Sequence, residues 1–588
     1  MTSPIVTDAI HKPERDARLY RRVTFPNGLE ACLISDPSLV RRVVRSSAIG
    51  PIALPTVHLT NRPSTRADAL AHDESNAPQA GMQTPEDDKE PMDDDGSEEG
   101  SEEGASEEGA SGEEDDDDDD DDDEEEAGAG MKLAACSVDF NVGFFSDPES
   151  GFEGISHFLE HMVFMGSEKY PGENHFSDWL SKHWGSENAC TDSEQTTYYF
   201  DCHPKHLREG LDIFSGYFLN PLLKMDAVER EVTAVESEFE RVVNNDASRV
   251  EAILGHVAAE AHPYKVFGWG NRASLTESTL WKEGKIRDAL LDHWRKHYHA
   301  GRMSITLLGE QDLDTLQGWV EELFRDMRAD GVPKPDYALA GPPYANVLPM
   351  MIHTTRVAEG KQLDLVFTVP AEIRRDYASK STEYVEELLG HEGKGSLFSL
   401  LKSKGLADRI SAGVGAGGLA DTSCAALFTA TIKLTDEGYE KVDDVVALFF
   451  QYVAMMKKTG AQDWSWNENR ALRGIEFRFK EEESAADYTE GIAMTMRRYS
   501  HEDVLRGDYL YASYKPEKVA ELLDFIAPSA CLYVLSDHGF DVNQPGVERE
   551  RWFNVPFKRA EVCAESLRRW ETSEPDAELR YPPRNEYI

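Results

Sequence analysis

Long hydrophobic runs are missing from this 588-residue chain. Its greasiest stretch, VVALFFQYVAMM from Val445, is too short for a bilayer span and is interrupted by Gln451, so it reads as a buried helix. The opening MTSPIVTDAIHKPERDARLYRR has no apolar core of the kind a signal peptide needs. No membrane partner is expected. Cysteine is sparse: Cys32, Cys136, Cys190, Cys202, Cys424, Cys531 and Cys563 are scattered, and no two form a CxxC pair. An odd, unpatterned set predicts reduced thiols and a cytoplasmic setting, not a disulfide framework. Base is also short. Lys and Arg total 61 against 110 Asp and Glu, a formal charge of −49. Such a chain offers no basic face to phosphate, which argues against DNA or RNA as a partner. Basic peptides and polyamines are the chemistry its field favours.

The acid is concentrated. Between Glu86 and Glu126 stand 27 acidic residues and a single base, Lys89. Residues 38–130, rich in Asp, Glu, Ser, Gly and Pro, cannot bury enough apolar surface to offset chain entropy, so disorder is the expectation. GLEACLISDP (Gly28–Pro37) before this segment and KLAACSVDFNVGFFSDP (Lys132–Pro148) after it both read as strands. The segment therefore reads as an insertion inside one domain.

Beyond it, ENHFSDWLSKHW from Glu173 has a helical pattern, and ACTDSEQTTYYFDC (Ala189–Cys202) alternates as a strand does. PKHLREGLDIFSGYFL places Pro204 at a helix start, and a long charged helix follows. A Pro-rich break, Gly331–Pro349, reads as a domain boundary, after which a similar order of strands and helices recurs. The expected organisation is residues 1–37 as the start of a first domain, 38–130 as the insertion, 131–335 as that domain continued, and 345–588 as a second domain.

The chemistry is concentrated in GISHFLEHMVFMGSEKYP, from Gly154. His157 and His161 are four apart, which on a helix stacks them on one face and lets both aim a ring nitrogen at one point. Zinc accepts imidazole at about 2.0–2.1 Å in a tetrahedral shell. Glu160 sits beside the pair, in the inverted order HxxEH, where it could take a proton from a metal-activated water. A catalytic zinc commonly has three protein ligands and one open position. The charged helix offers Glu231 and Glu238, seven apart and so on one face.

HFLEHMVFMGSEKYP, SENACTDSEQTTYYFD and EREVTAVESEFERVVNND together resemble the insulysin and pitrilysin family of zinc metallopeptidases, and the acidic insertion ahead of HxxEH resembles the nardilysin branch. The likeness runs from about Tyr20 to the end, excluding the acidic segment. It implies two homologous α+β domains, each an antiparallel sheet packed with helices on one side, the second without metal ligands. It implies one Zn2+ per chain on His157, His161 and Glu238, with Glu160 as general base and Glu231 as a supporting carboxylate. Asn188 and Ala189 fall in the family's NAxT edge strand, which pairs with extended substrate. GHEGKGSLFSLLKSKG and SAGVGAGG resemble the region that holds the substrate's N-terminal end. Insulysin has a Trp ten residues past its third ligand where this chain has Ser248. RYPPRNEYI resembles the close of the family's second domain, so the N-terminal half of a long member is expected.

Other residues draw plainer readings. His203 and His206, at a helix start, read as surface groups, and His391 with Glu392 as a turn. The acidic run is either a solvated tail or an attractor of basic peptides. The expected function is a zinc endopeptidase cutting short, basic peptides, on the N-terminal side of Arg in basic pairs as the nardilysin resemblance implies. The alternative is a non-catalytic peptide-binding half-molecule. A separate C-terminal half or a second copy of the chain is an expected partner.

Overall fold

The computed structural model describes residues 3–40 and 132–588. Apart from Ser38 to Val40, the segment read as disordered lies outside the described residues.

The first sheet has seven strands: β1 (Ile5–Thr7), β2 (Leu19–Thr24), β3 (Glu30–Ser35), β4 (Ala134–Phe140), β5 (Ser186–Thr191), β6 (Thr196–Cys202) and β7 (Met303–Gly309). Their spatial order is β1-β2-β3-β7-β4-β6-β5. All pairs are antiparallel except β3 with β7. β4 and β7 are buried at every position, as strands covered on both faces must be. One face is covered by α1 (Ile155–Val163), α2 (His175–Lys182), α3 (Leu207–Leu219), α4 (Val228–Val242) and α6 (Ile286–His297) with their neighbours, while α5 (Asp246–Val257) packs with residues of the second half.

The second sheet repeats the plan with β8 (Met350–Thr355), β9 (Lys361–Val369), β10 (Ala407–Val414), β11 (Ala426–Leu434), β12 (Cys531–Asp537), β13 (Glu548–Arg549) and β14 (Pro556–Glu561). Its order is β10-β11-β9-β12-β8-β14-β13, with one parallel pair, β12 with β8. The stretch from Val445 is inside α7 (Val442–Thr459), buried on successive turns against this sheet's core. This is the buried helix its composition predicts.

Three local readings change. The single strand expected over 189–202 is a hairpin, because Asp192–Ser193 turn the chain and split β5 from β6. The strand expected over 132–148 ends at Phe140, and Phe144–Ser150 wind into a 3-10 helix. The helices are not confined to one side of the first sheet: α8 (Ala485–Thr495), which follows the helices of the second half, crosses its other face. Small residues such as Ala486 and Ala493 allow that approach, and Thr489 hydroxyl meets Ser137 hydroxyl at 2.8 Å. All seven cysteines are free thiols. No helix of the described residues is long and apolar enough to cross a membrane.

Candidate metal centre

α1 is built to present its polar face. Ile155, Phe158, Leu159, Met162 and Val163 repeat at helical spacing and are buried in the first core. His157 and His161 are thereby left on the side facing α4. The helix begins at Gly154, with φ +91°, where a Cβ would lie 2.3 Å from the Gly270 Cα. Only glycine fits both that backbone and that approach. The first turn is held by a buried carboxylate. Asp147 accepts from Gly154 N at 2.7 Å, Ser156 N at 3.2 Å and the Ser156 hydroxyl at 2.6 Å. Negative charge there also complements the helix dipole. His293 on α6 reaches the Ser156 hydroxyl with Nε2 at 3.1 Å.

α4 meets this face with its own polar side. Val228, Val232, Val235 and Phe239 turn inward, and Glu231 and Glu238 turn towards α1. His157 Nδ1 lies 2.6 Å from the Trp269 carbonyl oxygen, and His161 Nδ1 lies 3.3 Å from Glu231 Oε2. Both partners only accept, so each Nδ1 carries a proton and each Nε2 is left to meet Glu238. The two Nε2 atoms are 3.3 Å apart, and Glu238 Oε2 is 3.2 Å from the first and 3.3 Å from the second. Three donor atoms thus form a nearly equilateral triangle.

The charges around it are strongly coupled. Burial works to lower the pKa of both rings, but at His157 the Glu238 contact, the Glu160 charge and the Trp269 carbonyl together outweigh it, and Glu231, Glu238 and Glu160 together lift His161 to about 10. Hydrogen bonds from His157 and His161 hold the Glu238 carboxyl well below its usual range. Glu160 is 7% exposed. Its burial raises its carboxyl pKa, although the neighbouring His157 pulls the other way. The Thr191 hydroxyl donates to Glu160 Oε2. The carboxylate of Glu160 lies within 4.8 Å of both imidazoles.

β5 is the last strand of its sheet, and no strand among the described residues pairs on its outer side. Asn188 donates from Nδ2 to the Tyr199 hydroxyl at 3.2 Å, while its Oδ1 accepts from Ala189 N at 2.9 Å. All seven residues picked out by sequence therefore lie on elements that meet here. Thr191 and Trp269 were missed. Thr191 could have been found as the last position of NACT, whereas a backbone carbonyl such as that of Trp269 leaves no sequence signal. Ser248 sits in the first turn of α5, its N–H donating to Asn245 Oδ1 at 3.0 Å. His203 is buried, not a surface group, because its Nδ1 accepts from Lys205 N and caps a 3-10 turn. His391 accepts from Gly393 N, the turn expected of it.

The family model described as insulinase, peptidase family M16, matches residues 127–265, which contain every residue of this centre except Trp269. Models of the M16 inactive domain and of the middle or third M16 domain match 285–472 and 477–588. The chain belongs to peptidase family M16. This M16 chain is 36% identical over 459 residues to a nardilysin-like protein of Arabidopsis thaliana, covering 78% of itself and 44% of that protein. It is 34% identical over 460 residues to nardilysin of Rattus norvegicus, covering 78% of itself and 39% of the relative. Against the human insulin-degrading enzyme it is 33% identical over 458 residues, covering 77% and 44%. Among solved structures, pitrilysin has the same fold, with a TM-score of 0.77 at 23% identity over 100% of this chain and 51% of that one. The chain thus spans about two fifths to half the length of these M16 proteins.

Proposed function

We propose that this chain is a zinc metalloendopeptidase half-unit whose ion is held by His157, His161 and Glu238. The observation that carries the reading is the donor triangle. A tetrahedral shell with bonds of about 2.0–2.1 Å has edges of about 3.3–3.4 Å, the spacing these three atoms already have. Without a cation or proton between them, two lone pairs and a carboxylate at such distances repel. Two imidazoles and one carboxylate are also a donor set that suits zinc and leaves its fourth position open.

Zinc bound there would polarise a peptide carbonyl and make water more acidic. The remaining work falls to this chain. Glu160, held by Thr191, takes the proton of the attacking water and hands it to the departing amine. Glu231 and the Trp269 carbonyl fix the tautomer and direction of the two imidazoles. The outer edge of β5, at Asn188 and Ala189, takes an extended peptide as an added strand. We propose short, basic peptides as substrates, cleaved on the N-terminal side of Arg in basic pairs. The acidic segment would gather them, or polyamines, by its field.

Metal analysis of the purified chain should find close to one zinc per molecule. Glu160→Gln should keep that zinc and lose peptide hydrolysis, because the amide has the same shape and cannot accept the proton. Hydrolysis that persists in the zinc-bound variant would remove Glu160 from this role and favour a different base. A chain that binds zinc and basic peptides without cleaving them would be the peptide-binding half-molecule instead.

A further inference from the structure

Glu187 is a half-buried acid with no cation beside it among the described residues. It stands on β5 two residues before Ala189 and four before Thr191, and strand alternation puts all three on one face. Their contacts agree. Thr191 reaches Glu160 on α1, Ala189 packs against the first core, and Glu187 turns to α2 and α3. There its Oε1 accepts from the Ser177 hydroxyl at 2.6 Å and its Oε2 from the Tyr217 hydroxyl at 3.5 Å. No Lys, Arg or His among the described residues pairs with it. Burial with only neutral donors nearby lifts its carboxyl to about 7.

Several other acids of this lobe hold backbone, although Asp139 and Glu160 meet only hydroxyls. Asp147 grips the start of α1, while Asp192 accepts from Gly418 N and Glu251 from Leu419 N, both at 2.7 Å. Glu187 holds no backbone. Its two hydroxyl partners would be served as well by a neutral glutamine, so nothing in its own surroundings calls for a charge. Even a half-buried carboxylate without a counter-charge carries a desolvation cost. The ring of Tyr217 meets that of Phe164 at 5.3 Å, and Phe164 caps the C-terminal end of α1, the helix that carries both histidines. An acid, two aromatic rings and a free strand edge therefore come together beside the metal centre. A guanidinium or ammonium fits that combination: its charge meets the half-buried carboxylate while the peptide backbone lies along the free edge of β5.

We infer that Glu187 is the specificity residue that reads a basic side chain of the peptide at one fixed position along β5. The inference rests on the reading of β5 as the peptide-binding edge. It differs from recruitment by the acidic segment, which acts at a distance and on any position. A contact at Glu187 is short-ranged, tied to register and resistant to salt.

The test is equilibrium binding to the zinc-loaded full chain, with Glu160→Gln to prevent turnover. The probes are labelled neutral peptides of about ten residues with a single Arg moved stepwise along them, in about 0.3 M salt to screen the diffuse field. One Arg position should bind at least about ten-fold tighter than the Arg-free peptide. Glu187→Gln should remove that increment and leave the Arg-free peptide unchanged, which also shows that the variant is folded. Glu187→Asp should keep part of it. The inference is overturned if the preferred position survives Glu187→Gln, if no position is preferred, or if no peptide binds. Hydrolysis by the chain with Glu160 intact is measured separately. A Glu187-dependent preference without hydrolysis sinks the peptidase reading alone, and Arg-selective hydrolysis by Glu187→Gln sinks this inference alone.

Discussion

His157 and His161 owe their usefulness to what stands behind them. Each ring is turned by an acceptor on a different element, Trp269 and Glu231, so that both Nε2 atoms face Glu238. The two glutamates on α4 therefore have separable effects. Glu238→Gln replaces a charged ligand by a neutral amide and should weaken zinc binding most. Glu231→Gln leaves the ligand set intact and loosens one ring, so its cost should be about 10–100-fold in metal affinity. Competition against a chelator of known affinity orders the two. Equal loss from both, or none from Glu238→Gln, would mean that the triangle is not the site. At this scale the sequence was informative where spacing decides geometry, as in HxxEH. It could not separate Glu231 from Glu238 by spacing alone, since both share a face of α4. The fold separates them by distance: Glu231 reaches the far nitrogen of His161, Glu238 the near ones.

The metal centre rests on the start of α1. That end has no room and no slack: Gly154 is left-handed against Gly270, and Asp147 satisfies the first turn with three hydrogen bonds. Asp147→Ala should cost about 2–4 kcal/mol, because it strands buried donors that no water replaces. Gly154→Ala should cost at least as much, since strain at positive φ adds to the clash with Gly270. Chemical denaturation at fixed pH and zinc measures both, and an effect under about 0.5 kcal/mol for either would contradict this account. Elements were legible where period and length agreed. α1, α7 and β3 carry their patterns openly. The β5–β6 hairpin was hidden because polar residues alternate straight through the turn at Asp192. α8 drew no reading from the sequence because it serves a sheet distant in sequence, and its small residues show no face by themselves.

Across the whole molecule, the two halves are tied by acids of the first half that accept N–H groups from the second. Asp192 and Glu251 hold Gly418 and Leu419, and Glu386 holds Val414 within the second half. Burial raises the carboxyls of Glu251 and Glu386 to about 7, above the 4.5 of a free glutamate. A raised folded-state pKa means the folded chain binds more protons, so this contribution to stability is complete below about pH 4.5 and lost as pH rises through 7. The stability of the metal-free chain relative to Glu251→Gln should therefore be lower at pH 7.5 than at pH 5.5. Glu251→Gln should flatten that slope by about 1–3 kcal/mol. A slope unchanged in Glu251→Gln would show that this acid is ionised throughout.

The acidic segment also belongs to this scale, because a field of 27 acids acts on everything near it. Its attachment is set by topology. β3 and β4 are separated in the sheet by β7, with Ser35 opposite Gly309 and Ala135 opposite Leu308. The end of β3 and the start of β4 thus lie at one end of the sheet, two strand spacings or about 10 Å apart. A two-residue turn cannot join them, but a linker of about six residues can cross the end of β7. Replacing residues 41–130 by such a linker should leave the unfolding midpoint of the chain unchanged. Capture of an Arg-Lys peptide should weaken at low salt, and the difference from the intact chain should vanish as salt is raised. The increment due to Glu187 should persist in the shortened chain at both salt levels, since a short-range contact is hardly screened. Titrating one peptide into four proteins, intact or shortened and with Glu187 or Gln, separates the two contributions. Equal binding by intact and shortened chains at low salt would show that the segment does not recruit basic peptides.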